Sequence, residues 1–202
     1  EEGGGQRDSA SQGGPWPAAN QSQGGRTVLR AADVGTGSGC IACSLAKERS
    51  SWQIVATDLS EDALNVARAN AKKHGLAERI DFVAGNLLDG VPGRFDIIAS
   101  NPPYIADGET LSREIVDWEP RAALFAGPTG FEALDRLARA APEHLADGGA
   151  LALEVGIGQA GRVLKTVLGL GRWADAGVTK DIAGLERVVW AVGFGKDPNP
   201  TK

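Results

Sequence analysis

The tetrapeptide Asn101-Pro102-Pro103-Tyr104 combines groups that can act together on a planar amino nitrogen. The Asn side-chain oxygen accepts hydrogen bonds, and proline has no N–H, so carbonyls in this turn can accept from an –NH2 group. The Tyr ring offers a flat surface on which an amide or a base can stack. The tetrapeptide therefore indicates a binding site for a planar –NH2 group, although Asn-Pro and Pro-Pro also occur in ordinary turns.

A second candidate site is the glycine-rich segment Asp33-Val34-Gly35-Thr36-Gly37-Ser38-Gly39, which follows an apolar run and precedes a helical pattern. Glycines there let the backbone approach a ligand closely at a helix N-terminus. The spacing is Gly-x-Gly-x-Gly and not the dinucleotide fingerprint Gly-x-Gly-x-x-Gly, because position 40 is Cys. Asp58 ends the next predicted strand, where a carboxylate can bind both hydroxyls of a ribose. The pair indicates a ribose-bearing cofactor, with a structural turn and a solvated Asp as the alternative.

These residues must be positioned by an alternation of strands and helices that begins at Thr27. Such an alternation is typical of an α/β fold with a parallel, doubly wound sheet. The last two strands have no helix between them, which predicts a hairpin and an antiparallel last strand. The predicted strands are 28–34, 53–57, 80–84, 95–100, 150–155, 173–179 and 187–192, and the predicted helices include 41–47, 60–74 and 163–170.

Local signals predict where several elements begin and end. Ser60 is a good helix N-cap, and Gly75 is a good C′ residue for the same helix. The segment Thr129-Gly130-Phe131-Glu132 matches a capping box that opens a further helix. We expect Pro142 to kink or interrupt that helix, and the sequence 147–149 to form a turn before the fifth strand.

Composition limits the classes of protein to consider. The chain has 202 residues, enough for one α/β domain with a core, and its net charge of −5 argues against a large nucleic-acid interface. No apolar stretch has the length of a membrane span. Residues 1–26 are mostly small and polar, which predicts a disordered or linker-like tail, followed by one folded domain over 27–195 and a short tail over 196–202. Because the chain begins at Glu1 and contains no Met, we interpret it as a processed product or a fragment.

The two cysteines, Cys40 and Cys43, do not imply a disulfide framework. Spaced three apart on a helix, they are expected to pack against the sheet. Two thiols and two His residues give no pattern for a structural metal site, so no metal is expected. Free thiols favour a reducing, cytoplasmic compartment, or an organelle if a native N-terminus is missing.

Together, the glycine loop, Asp58 and the Asn-Pro-Pro-Tyr turn resemble the class I S-adenosylmethionine-dependent methyltransferases. That resemblance implies a Rossmann-like fold with a seven-stranded, mostly parallel sheet. Three further segments resemble the HemK/PrmC family, the protein-glutamine N5-methyltransferases that modify peptide chain release factors at a Gly-Gly-Gln motif: 114–127, 151–156 and 181–189. The resemblance runs from Thr27 to Phe194, which makes 27–195 the methyltransferase catalytic domain.

The resemblance implies roles for the matching positions. Asn101, Pro102 and Tyr104 would be catalytic, binding the substrate amide together with Pro103. Glu119 and Arg121 would either contact the substrate or only hold the loop after the active site. S-adenosyl-L-methionine would be bound by Asp33, Gly35, Thr36, Gly37, Gly39, Asp58, Leu59, Asn86, Leu87 and Asn101. The partner would be a release factor, with no direct nucleic-acid or membrane contact, and we expect a monomer.

Two departures from the family pattern bear on activity. Asn86 occupies a position where the family usually has Asp, and an Asn oxygen can still accept from the adenine amino group. The family's small helical N-terminal domain, and its Arg-Pro-(Glu/Asp)-Thr-like segment before the first strand, are not recognisable in residues 1–26. Two alternatives therefore stay open: a nucleic-acid methyltransferase acting on adenine N6 or guanine N2, and an inactive cofactor-binding fragment.

Overall fold

A seven-stranded sheet organises the computed structural model, which describes residues 28–171 and 173–195. The predictions for the tails 1–26 and 196–202 lie outside these residues. The strands are β1 Arg30–Val34, β2 Gln53–Asp58, β3 Ile80–Ala84, β4 Phe95–Ser100, β5 Ile105–Ala106, β6 Phe125–Gly127, β7 Leu145–Glu154, β8 Asp175–Lys180 and β9 Glu186–Val192. The α-helices are α1 Cys40–Glu48, α2 Glu61–Lys73, α3 Arg113–Trp118, α4 Arg121–Leu124, α5 Glu132–His144 and α6 Ala160–Leu170.

The strand order of the main sheet is β3-β2-β1-β4-β7-β9-β8. Strands β3, β2, β1, β4 and β7 are parallel neighbours, whereas β9 is antiparallel to both β7 and β8. The predicted hairpin and antiparallel last strand are therefore confirmed. The short strands β5 and β6 form a separate two-stranded sheet that the sequence pattern did not predict.

Two buried apolar clusters cover the central strands on both faces. Neighbouring residues of one strand alternate between the clusters: Ala31 joins one and Ala32 the other, and Ile97 and Ile98 divide in the same way. Burial on both faces explains why these strands read as continuous apolar runs, as parallel strands covered by helices do. One cluster includes side chains of α5 and α6, and the other includes side chains of α1 and α2.

Helix α2 begins and ends where its local signals predict. The Ser60 hydroxyl accepts a hydrogen bond from the Ala63 N–H at 3.2 Å, which satisfies one of the open donors of the first turn. Gly75 lies just beyond the helix with a φ of +70°, a conformation that glycine adopts without steric cost. Both predictions are confirmed.

The capping-box prediction for α5 is wrong in its placement. The helix begins at Glu132, its N-cap is Phe131, and that cap makes no side-chain hydrogen bond. One bond of the capping box is formed, because Glu132 Oε1 accepts from the Thr129 N–H at 3.0 Å and also from its hydroxyl at 2.9 Å, but Thr129 lies in the turn before the helix. Pro142 does not end the helix, which continues to His144.

The turn predicted at 147–149 is a bulge inside β7. Pairing with β4 shifts between Phe95, opposite Leu145, and Ile97, opposite Ala150. The extra residues are held by Phe194, whose carbonyl accepts from the Gly148 N–H at 2.8 Å and whose N–H donates to the Gly149 carbonyl at 3.1 Å. The bulge therefore ties β7 to the segment that follows β9.

Cys40, the first residue of α1, is exposed, so the prediction that it packs against the sheet is wrong. Cys43 is half-buried against the cluster shared by α1 and α2, as expected, and both thiols are free. Within 28–171 and 173–195, no helix is long and apolar enough to cross a membrane. In the same ranges, no three His, Cys, Asp or Glu side chains are grouped to hold a metal ion.

Candidate active site

The glycine loop and the Asn-Pro-Pro-Tyr turn leave the sheet side by side. Strands β1 and β4 are parallel neighbours, and their last residues, Val34 and Ser100, are register partners. The two segments that follow, 35–39 and 101–104, therefore start at the same edge of the sheet. From β1 the sheet is extended toward β2 and β3 on one side and toward β4 and β7 on the other. Open α/β sheets bind ligands in the crevice outside the carboxyl ends of the strands at such a switch point.

Asp33, the penultimate residue of β1, is fully buried beneath the glycine loop. Its Oδ2 accepts from the Thr36 hydroxyl at 2.6 Å and from the Ala42 N–H at 2.9 Å. Its Oδ1 is buried without a hydrogen-bond partner among the described residues. Burial is the main cause that raises the pKa of Asp33 to about 6, and these two hydrogen bonds partly oppose the rise.

Asp58 connects the glycine loop to the end of β2. Its Oδ2 accepts from the Gly37 N–H and its Oδ1 from the Ser60 N–H, both at 2.9 Å. The Thr36 N–H also donates to the Thr57 carbonyl at 2.8 Å. Each carboxylate oxygen of Asp58 keeps a further acceptor position, so the side chain can still receive a ligand hydroxyl. Leu59 follows and is 72% exposed.

The loop after β3 joins the same edge. The Gly85 N–H donates to the Asp58 carbonyl at 2.9 Å, and the Thr57 hydroxyl donates to the Leu87 carbonyl at 2.9 Å. Leu87 has a φ of +58°, which is uncommon for a residue with a side chain and indicates a backbone fixed by its surroundings. Asn86, between these bonds, is half-buried.

The Asn-Pro-Pro-Tyr turn presents Asn101 outward and anchors Pro102 inward. The Ser100 hydroxyl donates to the Val34 carbonyl at 2.6 Å, which holds the end of β4 against β1. Asn101 is exposed, Pro102 is buried, and Pro103 and Tyr104 are half-buried. The Asn101 amide is therefore accessible to a substrate, while the proline behind it is fixed by packing.

The Tyr104 phenol interacts with an acidic and a basic side chain. Burial is the main cause that raises the pKa of its phenol, Glu154 adds to the rise, and Arg187 opposes it. Arg187 also contacts Asp181 Oδ2 at 3.3 Å and donates to the Val155 carbonyl at 3.2 Å. The β8–β9 connection is thus linked to the Tyr104 side of the site.

Glu119 and Arg121 lie apart from the turn, in the segment between β5 and β6. Arg121 contacts Asp107 Oδ1 at 3.4 Å, and its guanidinium lies 4.2 Å from the centre of the Phe125 ring. Glu119 is exposed. Among the described residues neither side chain forms a hydrogen bond with Asn101–Tyr104, so their contact with a substrate stays a prediction.

The sequence did not indicate a role for Gln159, whose side chain is hydrogen-bonded to the backbone at the end of the Asn-Pro-Pro-Tyr turn. Its Nε2 donates to the Tyr104 carbonyl at 2.9 Å and to the Gly130 carbonyl at 3.3 Å, and its Oε1 accepts from the Gly156 N–H at 2.9 Å. All three partners are backbone groups, and two of them are distant in sequence. A side chain that recognises only the main chain leaves no residue pattern to find.

Comparison with known proteins identifies the fold and a set of similar proteins. Residues 22–120 match the family model described as the methyltransferase small domain. The structure of a methyltransferase from Pyrococcus furiosus superposes with a TM-score of 0.60 at 21% identity, covering 81% of this chain and 74% of that one. The expected Rossmann-like fold of class I methyltransferases is therefore confirmed.

Several curated proteins are similar to most of this chain. A release factor glutamine methyltransferase from Chlorobaculum tepidum is 47% identical over 162 residues, covering 77% of this chain and 54% of that protein. One from Cereibacter sphaeroides is 44% identical over 167 residues, covering 82% and 59%. The chain thus spans between half and two thirds of the length of these relatives. By these matches the chain is similar, over most of its length, to release factor glutamine methyltransferases, the HemK/PrmC family that its motifs indicated.

Proposed function

We propose that this chain is the catalytic domain of an enzyme that methylates N5 of a glutamine side chain in a peptide chain release factor, with S-adenosyl-L-methionine as methyl donor. The proposal rests on the pairing of β1 with β4. Because Val34 and Ser100 are register partners, the glycine loop and the exposed Asn101 begin side by side at one edge of the sheet. The substrate is inferred from curated relatives that are named release factor glutamine methyltransferases.

The residues at this edge suit the proposed cofactor. The unpartnered Asp33 Oδ1 provides a negative group below the loop, which favours a cationic ligand above it. Asp58 offers acceptors for a ribose diol, and the loop 35–39 lets a ligand approach the N-terminus of α1. When bound, S-adenosylmethionine supplies a methyl group on a positively charged sulfonium. Leu59, Asn86 and Leu87 are the candidates for the adenine side of the pocket.

The turn compensates for the weak nucleophilicity of an amide nitrogen, whose lone pair is delocalised into the carbonyl. Asn101 Oδ1 and the Pro102 carbonyl each accept one N–H of the substrate –NH2 group. This orients the nitrogen lone pair toward the glycine loop and raises its electron density. Positioning of this kind contributes about 7–11 kcal/mol in well-organised systems. Tyr104 packs against the amide, and no strong general base is required before attack. The N–C bond would form as the S–C bond of the donor breaks to leave a neutral thioether, and the nitrogen would then release one proton to solvent.

The cellular setting follows from the substrate. A release factor acts in translation, so we expect the enzyme to work in the cytoplasm, as a monomer that meets its protein substrate directly. Glu119 and Arg121 lie on the exposed segment after the turn, where they can contact that protein.

The test is calorimetric binding of S-adenosylmethionine, followed in the same sample by methyl transfer to a release factor containing Gly-Gly-Gln. The control substrate carries Gly-Gly-Glu, which removes the accepting nitrogen. We expect binding, and transfer only to the Gln protein. Binding without transfer would refute a self-sufficient catalytic domain, and absence of binding would refute the cofactor assignment. Transfer to adenine or guanine amino groups in nucleic acid instead would establish the alternative substrate class.

A further inference from the structure

Gln159 uses its whole amide group to connect three backbone segments. The side chain lies at the N-cap position of α6 and is half-buried. Its two N–H groups reach the Tyr104 and Gly130 carbonyls, and its oxygen accepts from the Gly156 N–H. The end of the Asn-Pro-Pro-Tyr turn, the loop before α5 and the loop after β7 therefore meet at one side chain.

The packing around this side chain leaves little space for the turn to move. A Cβ at Gly130 would lie 2.7 Å from the Tyr104 carbonyl oxygen and 2.9 Å from the Ala106 nitrogen. A Cβ at Gly156 would lie 3.0 Å from both the Tyr104 ring and Gln159 Oε1. Because Gly130 and Gly156 have no side chain, their backbone can lie close to Tyr104, and the Gln159 amide is hydrogen-bonded to all three residues.

Only a group that donates twice and accepts once fits these three partners. A carboxylate of the same shape would place an oxygen against the Tyr104 and Gly130 carbonyls, where nothing donates to it. None of the three hydrogen bonds involves the loop 35–39 or Asp58. The contact is therefore specific to the substrate side of the site.

We propose that Gln159 is a positioning residue for methyl transfer: by holding the Tyr104 carbonyl it fixes the orientation of the Asn101–Tyr104 turn against the glycine loop. The inference rests on the proposed function, in which Asn101 and Pro102 orient the accepting amide. Because Gln159 acts on the turn and not on the cofactor loop, its loss reduces the rate of transfer and leaves cofactor affinity unchanged.

The kinetic test compares Gln159→Glu with Gln53→Glu, which makes the same chemical change at an exposed position of β2. A displacement of about 1 Å in a catalytic group can cost on the order of 10²-fold in rate. We expect kcat for Gln159→Glu to fall roughly 10- to 100-fold, with the S-adenosylmethionine Kd unchanged and the Gln53 variant behaving as wild type. A wild-type kcat, or an equal loss of cofactor affinity, would overturn the proposal.

A second readout needs no activity, because Tyr104 is the single tyrosine of the chain. Biosynthetic 3-fluorotyrosine then gives one 19F resonance, which reports the turn directly. We expect Gln159→Glu to shift or broaden this resonance and Gln53→Glu to leave it in place; an unmoved resonance would overturn the proposal. If the Gln159→Glu variant does not fold, the same fluorine measurement is made on Gln159→Met, which keeps the length of the side chain and removes both donors. If wild type transfers no methyl group, the proposed function fails, and the fluorine spectrum still decides whether Gln159 holds the turn.

Discussion

The carboxylate of Asp58 accepts a hydrogen bond from the Gly37 N–H at 2.9 Å, so the acid at the end of β2 fixes the shape of the loop that follows β1. Its other oxygen accepts from the Ser60 N–H, which starts α2. The residue proposed to bind the ribose therefore also organises the loop around the rest of the cofactor. Cofactor binding and the conformation of the loop 35–39 therefore both depend on the Asp58 side chain.

Asp58→Ala removes both functions at once. Hydrogen bonds to a charged group contribute about 1.5–3 kcal/mol each, so we expect the S-adenosylmethionine Kd to rise roughly 10- to 100-fold or more. Calorimetry measures the change directly. Asp81→Ala, at an exposed position of β3, is the matched control and should keep wild-type affinity. An Asp58 variant that binds within twofold of wild type would remove this residue from the cofactor site.

Asn101→Ala tests whether the turn binds the accepting nitrogen. The substitution removes one acceptor for the substrate amide, and loss of one preorganised hydrogen-bonding group costs on the order of 10²-fold in turnover. We expect that loss in the rate constant of a single-turnover assay in which release factor and S-adenosylmethionine are both saturating, so that a change in cofactor affinity does not contribute. Asn65→Ala, on the exposed face of α2, provides the control. Near-normal turnover of the Asn101 variant would show that the turn does not bind the accepting nitrogen.

Gly130→Ala tests the packing behind the turn, and Gly90→Ala is a closely matched control. Both glycines have a φ of +74°, but a Cβ at Gly90 meets nothing within 4 Å, whereas one at Gly130 lies 2.7 Å from the Tyr104 carbonyl oxygen. Each substitution costs about 1–2 kcal/mol for the left-handed backbone. Overpacking adds about 1–3 kcal/mol at Gly130 alone. Urea denaturation should show this difference, and equal losses at the two sites would contradict it.

Asp33 makes stability depend on pH in a defined direction. Burial raises its pKa from 3.8 to about 6, so between these values the folded state binds more protons than the unfolded state. Stability contributed by this group therefore falls as the pH rises through that window, by about 3 kcal/mol in total. In the variant Asp33→Asn, the side-chain amide oxygen can still accept from Thr36 and Ala42, and the amide does not titrate. We expect the unfolding free energy of wild type, relative to this variant, to fall between about pH 4 and 7, and a constant difference would refute the raised pKa.

The sequence predicted the central parallel strands well because they are buried on both faces and read as apolar runs between turn residues. It also located the ends of α2, where Ser60 and Gly75 act through local hydrogen bonding and local backbone freedom. Start and stop signals of this kind depend on only a few neighbouring residues. The predictions failed where distant segments decide the conformation.

Two elements illustrate that limit. Residues 147–149 look like a turn, but hydrogen bonds to Phe194 hold them as a bulge within β7. Thr129 looks like an N-cap, but Gly130 is packed against the Tyr104 backbone, and the helix begins only at Glu132. Of the site, the glycine loop, Asp58 and the Asn101 turn were predictable from residue types. Gln159 was not, because its partners are main-chain atoms brought close only by the finished fold.

The position of β9 between β7 and β8 has a consequence for synthesis on the ribosome. Strand β8 is made first, yet it pairs with β9 and not with β7, so it joins the sheet only when the last strand has emerged. Until then the edge of β7, with Leu151 and Leu153, has no neighbour on that side. An unpaired apolar edge is a site of aggregation. The nascent chain is therefore most vulnerable between the synthesis of β7 and the emergence of β9, and a pause in that interval would favour chaperone binding over folding.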